Sequence, residues 1–139
     1  MTATWSPDDL ERIGSARELQ IAVKRDDGTL RRWVPIWVVL VDEQIYVRTW
    51  YRRETGWFGH VLSSRRARIR VPGVEADVAV KDVGRGTALL RAGVDAAYRT
   101  KYGSSSSTAS MVTPEAAATT LQLSPENRAG DALRRGRAG

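Results

Sequence analysis

The chain has 139 residues, no cysteine, a single histidine and a formal charge of +6. This length suits one domain with a real core, and the missing thiols exclude disulfides, cysteine nucleophiles and cysteine-ligated metal centres. With His60 as the sole imidazole, a His-rich metal site is impossible and a Ser–His triad is poorly supported.

The N-terminus, MTATWSPDDLERIG, lacks a basic region followed by an apolar stretch. The longest apolar run, Trp33 to Val41, falls far short of the ~20 residues a membrane helix needs. The expectation is a soluble, cytoplasmic protein without membrane contact. A sequence pI near 10.3 would suit a nucleic-acid binder, but only Lys24, Lys81 and Lys101 of the 22 basic residues are lysine. Such an arginine excess equally reflects genome base composition, and no helix-turn-helix, RNA-recognition or zinc signature is present. Nucleic acid therefore ranks last among partners.

Ser6-Pro7-Asp8-Asp9 reads as a helix start, with Ser6 as N-cap and Pro7 at the first helical position; the helix runs to about Ile13. Leu19 to Arg25 alternates as a strand, and Asp26-Asp27-Gly28 turns it into a second strand reaching Val41. That second strand is apolar on both faces, as expected of a strand in the middle of a barrel or between a sheet and helices. Trp33 and Trp37 on it read as core or dimer-interface packing. Asp42-Glu43 turns into a third strand, Gln44 to Trp50, on which Arg48 and Trp50 share a face. Thr55 is placed to cap a short helix from Trp57 to about Ser64. Ala67 to Val71 and Val74 to Val83 form a hairpin through Pro72-Gly73, with Val71 opposite Val74, Ile69 opposite Ala76, Arg70 opposite Glu75 and Arg68 opposite Asp77. Arg68 and Arg70 thereby receive a structural role.

Ala92 to Tyr102 reads as a helix ended by Gly103, Ser104 to Ser107 as a flexible connector, Thr113-Pro114-Glu115 as a short helix start, and Thr119 to Leu123 as a last strand. Five or six strands with interleaved helices make a small α+β barrel. Residues 126–139 carry Arg128, Arg134, Arg135 and Arg137 against Glu126 and Asp131, without apolar periodicity. They read as a disordered basic C-terminal tail, leaving residues 1–125 as a single domain.

The stretch Tyr46 to Arg70, YVRTWYRRETGWFGHVLSSRRARIR, gathers arginine and tryptophan at one strand-to-helix junction. Guanidinium groups fork onto phosphate or carboxylate oxygens and an indole offers a flat face, so the ligand class is an anionic, aromatic one. Arg48 reads equally as a phosphate ligand or as a surface ion pair, and Trp50 and Trp57 equally as site wall or core. Solvated loop is the default for Arg52 and Arg53. His60 reads as surface packing ahead of proton transfer, and Tyr98 and Lys101 as packing with a snorkelling amine.

Val47-Arg48-Thr49-Trp50, Gly56-Trp57-Phe58, the Ala67 to Val74 hairpin and Asp95-Ala-Ala-Tyr-Arg-Thr-Lys-Tyr-Gly103 together resemble a bacterial family, DUF2255, over roughly Trp5 to Pro125. That family in turn resembles the FMN-binding split-barrel proteins, which include pyridoxamine phosphate oxidase-like flavoproteins and deazaflavin (F420)-dependent nitroreductases. The resemblance implies a small split β-barrel of about six mostly antiparallel strands with short flanking helices. It implies an FMN or F420 groove between Arg48, Thr49 and Trp50 on the strand side and Gly56 and Trp57 on the helix side, with Arg52 and Arg53 serving a longer anionic tail. A homodimer and a flavin- or F420-dependent oxidoreductase follow from the same resemblance. A non-catalytic binding module of the same fold is the alternative.

Overall fold

The structure, a computed structural model, describes residues 5–49, 56–84, 86–103 and 105–126. In chain order these form helix α1 (Pro7–Ser15), strands β1 (Leu19–Val23), β2 (Val34–Ile36), β3 (Val39–Val41) and β4 (Gln44–Val47), helix α2 (Gly56–Ser64), strands β5 (Arg66–Val71) and β6 (Val74–Asp82), helices α3 (Ala88–Tyr102), α4 (Ser106–Met111) and α5 (Pro114–Ala117), and strand β7 (Leu121–Pro125). The cap chemistry read from the sequence is present. Ser6 accepts from the amide of Asp9, Thr113 from that of Ala116, and Gly103 ends α3 at a φ of 83°. Every strand pairs antiparallel, in the order β2-β1-β5-β6-β7-β4-β3.

That order forces the sheet to curl. Laid flat, seven strands would put the two edges about 29 Å apart at 4.8 Å per step. The edges are β2 and β3, joined only by Trp37 and Val38, and three Cα steps reach about 11 Å. The sheet closes into a half-barrel split at this junction. The continuous second strand expected up to Val41 is therefore two strands, because one ladder cannot serve both edges. Val38, left between them, finds its partners on α3: its amide donates to the Tyr102 hydroxyl at 3.1 Å, and its carbonyl accepts from the Lys101 amine at 2.7 Å.

Inside the half-barrel pack Leu19, Ile21, Ile69, Val78, Leu121 and Leu123, closed off by Ile13 of α1 and by Phe58 and Val61 of α2. A second apolar layer lies between β3–β4 and α3, built from Val39, Tyr46, Val94, Tyr98, Tyr102 and Met111. Trp37 belongs to this layer, stacked on Tyr102 with ring centroids 3.9 Å apart and planes 2° from parallel. Trp33 lies outside both, half-buried beneath the guanidinium of Arg70 at 4.0 Å. The β5–β6 register is the expected one, from Val71↔Val74 to Arg68↔Asp77. Arg68 bonds both Asp77 and, diagonally, Glu75, while Arg70 turns to Gln20.

Three further boundaries differ from the sequence reading for local reasons. Helix α3 begins a turn early because Thr87 caps the amide of Leu90. The serine run is no connector: Ser105 caps α4, whose Thr108 and Met111 are buried. Strand β7 starts at Leu121, since the Thr119 and Thr120 hydroxyls bond the carbonyls of Ala116 and Ala117 and hold those residues in a turn. Glu126 continues past β7, its amide on the Asp77 carbonyl and its carboxylate on Arg66. The tail residues 127–139 lie outside the described residues, as does the expected Thr55 cap.

Candidate functional site

Just after β4 the chain leaves the ladder, and Arg48 and Thr49 turn inward. Arg48 is buried, with 1% of its surface exposed. Its Nη1 donates to Asp95 Oδ1 at 2.6 Å and to the Met111 carbonyl at 2.9 Å, and its Nε to Thr120 Oγ1 at 2.8 Å. Its guanidinium carbon lies 5.7 Å from the Tyr98 ring centroid. The two sequence segments that most define the family resemblance thus meet here, Arg48 from one and Asp95 and Tyr98 from the other. Nη2 is left without a hydrogen-bond partner among the described residues. Thr49 is held by Thr119, whose hydroxyl bonds both its amide and its carbonyl.

Burial pushes the Tyr98 phenol well above its usual range, against the opposing pull of the Arg48 charge. The Tyr98 hydroxyl lies near the Arg48 main chain but in no hydrogen-bonding geometry with a described group. A buried polar atom without a partner costs about 1–3 kcal/mol, and among the described residues this cluster holds two, Arg48 Nη2 and the Tyr98 hydroxyl.

A cavity of about 320 Å³ opens over this cluster, with Arg48 and Thr49 at one side, Met111 beneath and Ile36, Trp37 and Trp57 as apolar walls. Behind Trp57 lies a second cleft of about 450 Å³, between the β1–β2 hairpin and α2, lined by Val23, Arg25, Arg31, Arg32 and His60. Both volumes fall in the range of small-molecule sites. Trp57, half-buried at the start of α2, is the wall they share. Arg31 and Arg32 form no ion pair with a described carboxylate, and Arg25 spends its Nη1 on Thr29 and the Leu30 carbonyl at the hairpin tip. The cleft is thus cationic, with an indole on one side.

Of the expected site residues, Arg48, Thr49 and Trp57 line one cavity, and Gly56 is the first residue of α2. Trp50, Arg52 and Arg53 lie outside the described residues. Sequence reasoning missed Arg25, Arg31 and Arg32, which enter through the folding back of a hairpin sixteen or more residues upstream of Arg48. It missed Asp95 as the partner of Arg48 because 47 residues separate them. The available signal was the motif itself: Asp95 is the one acid in the stretch from Asp95 to Gly103. Among the described residues no group of three or more His, Asp or Glu is placed to hold a metal ion, and no helix is long and apolar enough to cross a membrane.

A curled antiparallel sheet, split between consecutive strands and carrying a ligand-sized cavity beside the split, defines a split-barrel protein. The chain belongs to DUF2255, described as an uncharacterized protein conserved in bacteria, whose family profile matches residues 9–123. Among solved structures it is similar to a conserved hypothetical protein from Mycobacterium tuberculosis, with a TM-score of 0.62 and 12% identity over 91% of this chain and 84% of that one. It is similar to the heme storage protein HutZ from Vibrio cholerae, with a TM-score of 0.62 and 14% identity over 89% and 92% of the two chains. A FAD-binding protein from Mesorhizobium loti gives a TM-score of 0.56 and 14% identity over 91% and 94%. At these identities the likeness is one of fold. No functionally curated protein matches the sequence.

Proposed function

We propose that this protein binds a flavin or deazaflavin, FMN or F420, as the cofactor of an oxidoreductase, and that it works as a homodimer. The carrying observation is the pair of adjoining cavities on either side of Trp57, one walled by indoles, the other lined by arginines. The donor set fits such a group. Trp37 and Trp57 offer flat apolar faces to a ring system, and Arg25, Arg31 and Arg32 offer charge-assisted hydrogen bonds to its phosphate or carboxylates. Arg48 has only Nη2 to give, because Asp95 and Met111 occupy Nη1. Its part is a single hydrogen bond rather than a fork. Trp50, Arg52, Arg53, Gly56 and Thr49 complete the proposed binding set.

When bound, the cofactor itself supplies the hydride or electron chemistry. The protein's own residues hold the ring between indoles, keep water from its faces and neutralise its anionic end. The test is an absorbance spectrum of the purified protein, followed by titration of the cofactor-free form with FMN and with F420 under tryptophan fluorescence. A bound chromophore or saturable quenching supports the reading, and reduction of the bound cofactor by a nicotinamide donor supports the oxidoreductase. Binding without turnover assigns a non-catalytic module. No chromophore and no quenching with either cofactor rejects both.

A further inference from the structure

Against Val38 at the split, α3 ends in a cluster that the cofactor reading does not use. Two cations approach one ring: the Arg17 guanidinium carbon lies 5.1 Å and the Lys101 amine 5.2 Å from the centroid of Tyr102. Lys101 is half-buried and forms no ion pair with a described carboxylate. Its hydrogen-bond partner is the Val38 carbonyl, at 2.7 Å. Tyr102 itself is held by its hydroxyl, which donates to the Arg17 carbonyl at 2.8 Å. The other two lysines are placed differently. Lys24 is buried with its amine 3.1 Å from Asp77, and Lys81 is exposed on β6.

Beside Lys101 runs a groove of about 360 Å³ between Ala96, Ala97 and Thr100 of α3 and Val39, Leu40 and Val41 of β3, with room for a group of a few carbon atoms. Half-buried beside the Arg17 guanidinium and away from any described carboxylate, the amine is held partly in its neutral, nucleophilic form. We propose that Lys101 is a modification site, acylated in preference to the other lysines by small acyl phosphates. In the step, the amine lone pair attacks the acyl carbon and a C–N amide bond forms. The C–O bond to phosphate breaks, phosphate leaves with the electron pair, and one amine proton passes to solvent. The product keeps one N–H for Val38 and loses the charge that crowds Arg17. Because Val38 follows Trp37, a wall of the first cavity, modification would act at the split itself. The inference stands apart from the cofactor reading.

Burial, and after it the charge of Arg17, pulls the Lys101 pKa down to about 8, which sets the test. The full chain is treated with acetyl phosphate at limited conversion, and the three lysine-containing peptides are quantified by mass spectrometry across a pH series. Lys101 is expected to react several-fold faster than Lys81 at pH 7, with Lys24 slowest. Its rate should level off above a midpoint of about 8, and the preference should vanish in urea. Equal or slower reaction of Lys101 than Lys81, a rate still climbing through pH 10, or a preference that survives in urea would each overturn the assignment. Loss of FMN and F420 binding would not touch it.

Discussion

Arginine serves two opposite purposes on the two sides of Trp57. Arg48 is buried and bonded through Nη1 and Nε to Asp95, Met111 and Thr120, so most of its charge is spent on tying β4 to α3, α4 and the turn before β7. Arg31 and Arg32 carry the same group but meet no described carboxylate, and they line a cleft wide enough for a ligand. The lesson is that the arginine nearest the family's signature tryptophans is chiefly a fastening. Among the described residues, the arginines that line the cationic cleft come from the β1–β2 hairpin.

Substitutions separate the two roles by what they disturb. The largest effect belongs to Arg48→Met, which removes the 2.6 Å partner of Asp95, a carboxylate only 13% exposed, and leaves it the longer 3.6 Å contact with Arg91. Removing one partner of a buried pair costs about 3–5 kcal/mol, so chemical unfolding should show a loss of that order, partly restored in Arg48→Met/Asp95→Leu. A variant of native stability that has merely lost ligand affinity would reverse the assignment. By contrast, Arg31→Gln/Arg32→Gln should leave the unfolding free energy within about 0.5 kcal/mol of the parent. A larger loss would mean the cleft arginines are structural too.

Titration sharpens the contrast around α3. The Tyr98 phenol has its pKa raised in the folded chain, so above pH 10 the unfolded chain releases a proton that the folded chain keeps. Stability from this group is intact below pH 10 and lost above it. Lys101 runs the other way: its pKa falls from 10.5 to about 8, the folded chain releases its proton first, and stability rises across that window. Unfolding measured from pH 7 to 11 should therefore climb above pH 8 and turn down beyond 10. Lys101→Met should flatten the rise, and Tyr98→Phe should soften the fall at little cost at pH 7.

The smallest effect lies far from either site, in the β3–β4 turn, where Asp42 and Glu43 both hold left-handed conformations at φ of 50° and 65°. Glycine meets that demand without a Cβ penalty. Glu43→Gly should stabilise by about 1 kcal/mol, read as a higher unfolding midpoint with unchanged ligand behaviour.

Local chemistry made much of this fold legible in the sequence. Caps at Ser6 and Thr113, the Asp-Asp-Gly turn and the β5–β6 register all rest on neighbours within a few residues, and the structure has them as read. The break at Trp37-Val38 was not legible, since both residues are good strand formers and only closure of the sheet denies them a ladder. Ser105 looked like linker because serine favours loops and caps alike, and the choice was made by burial of Met111. The candidate site divided in the same way. Trp57 and Thr49 were readable from the strand-to-helix junction, whereas the cationic cleft depends on a hairpin and a helix meeting across the barrel.

The most direct measurement is the affinity of the parent and of Arg31→Gln/Arg32→Gln for FMN and F420, by fluorescence titration at one fixed salt concentration. Binding of one cofactor by the parent, weakened at least tenfold, or about 1.4 kcal/mol, in a variant of unchanged stability is the expected result. Equal affinity in both proteins, or no binding by the parent, would contradict the placement of an anionic cofactor across Trp57.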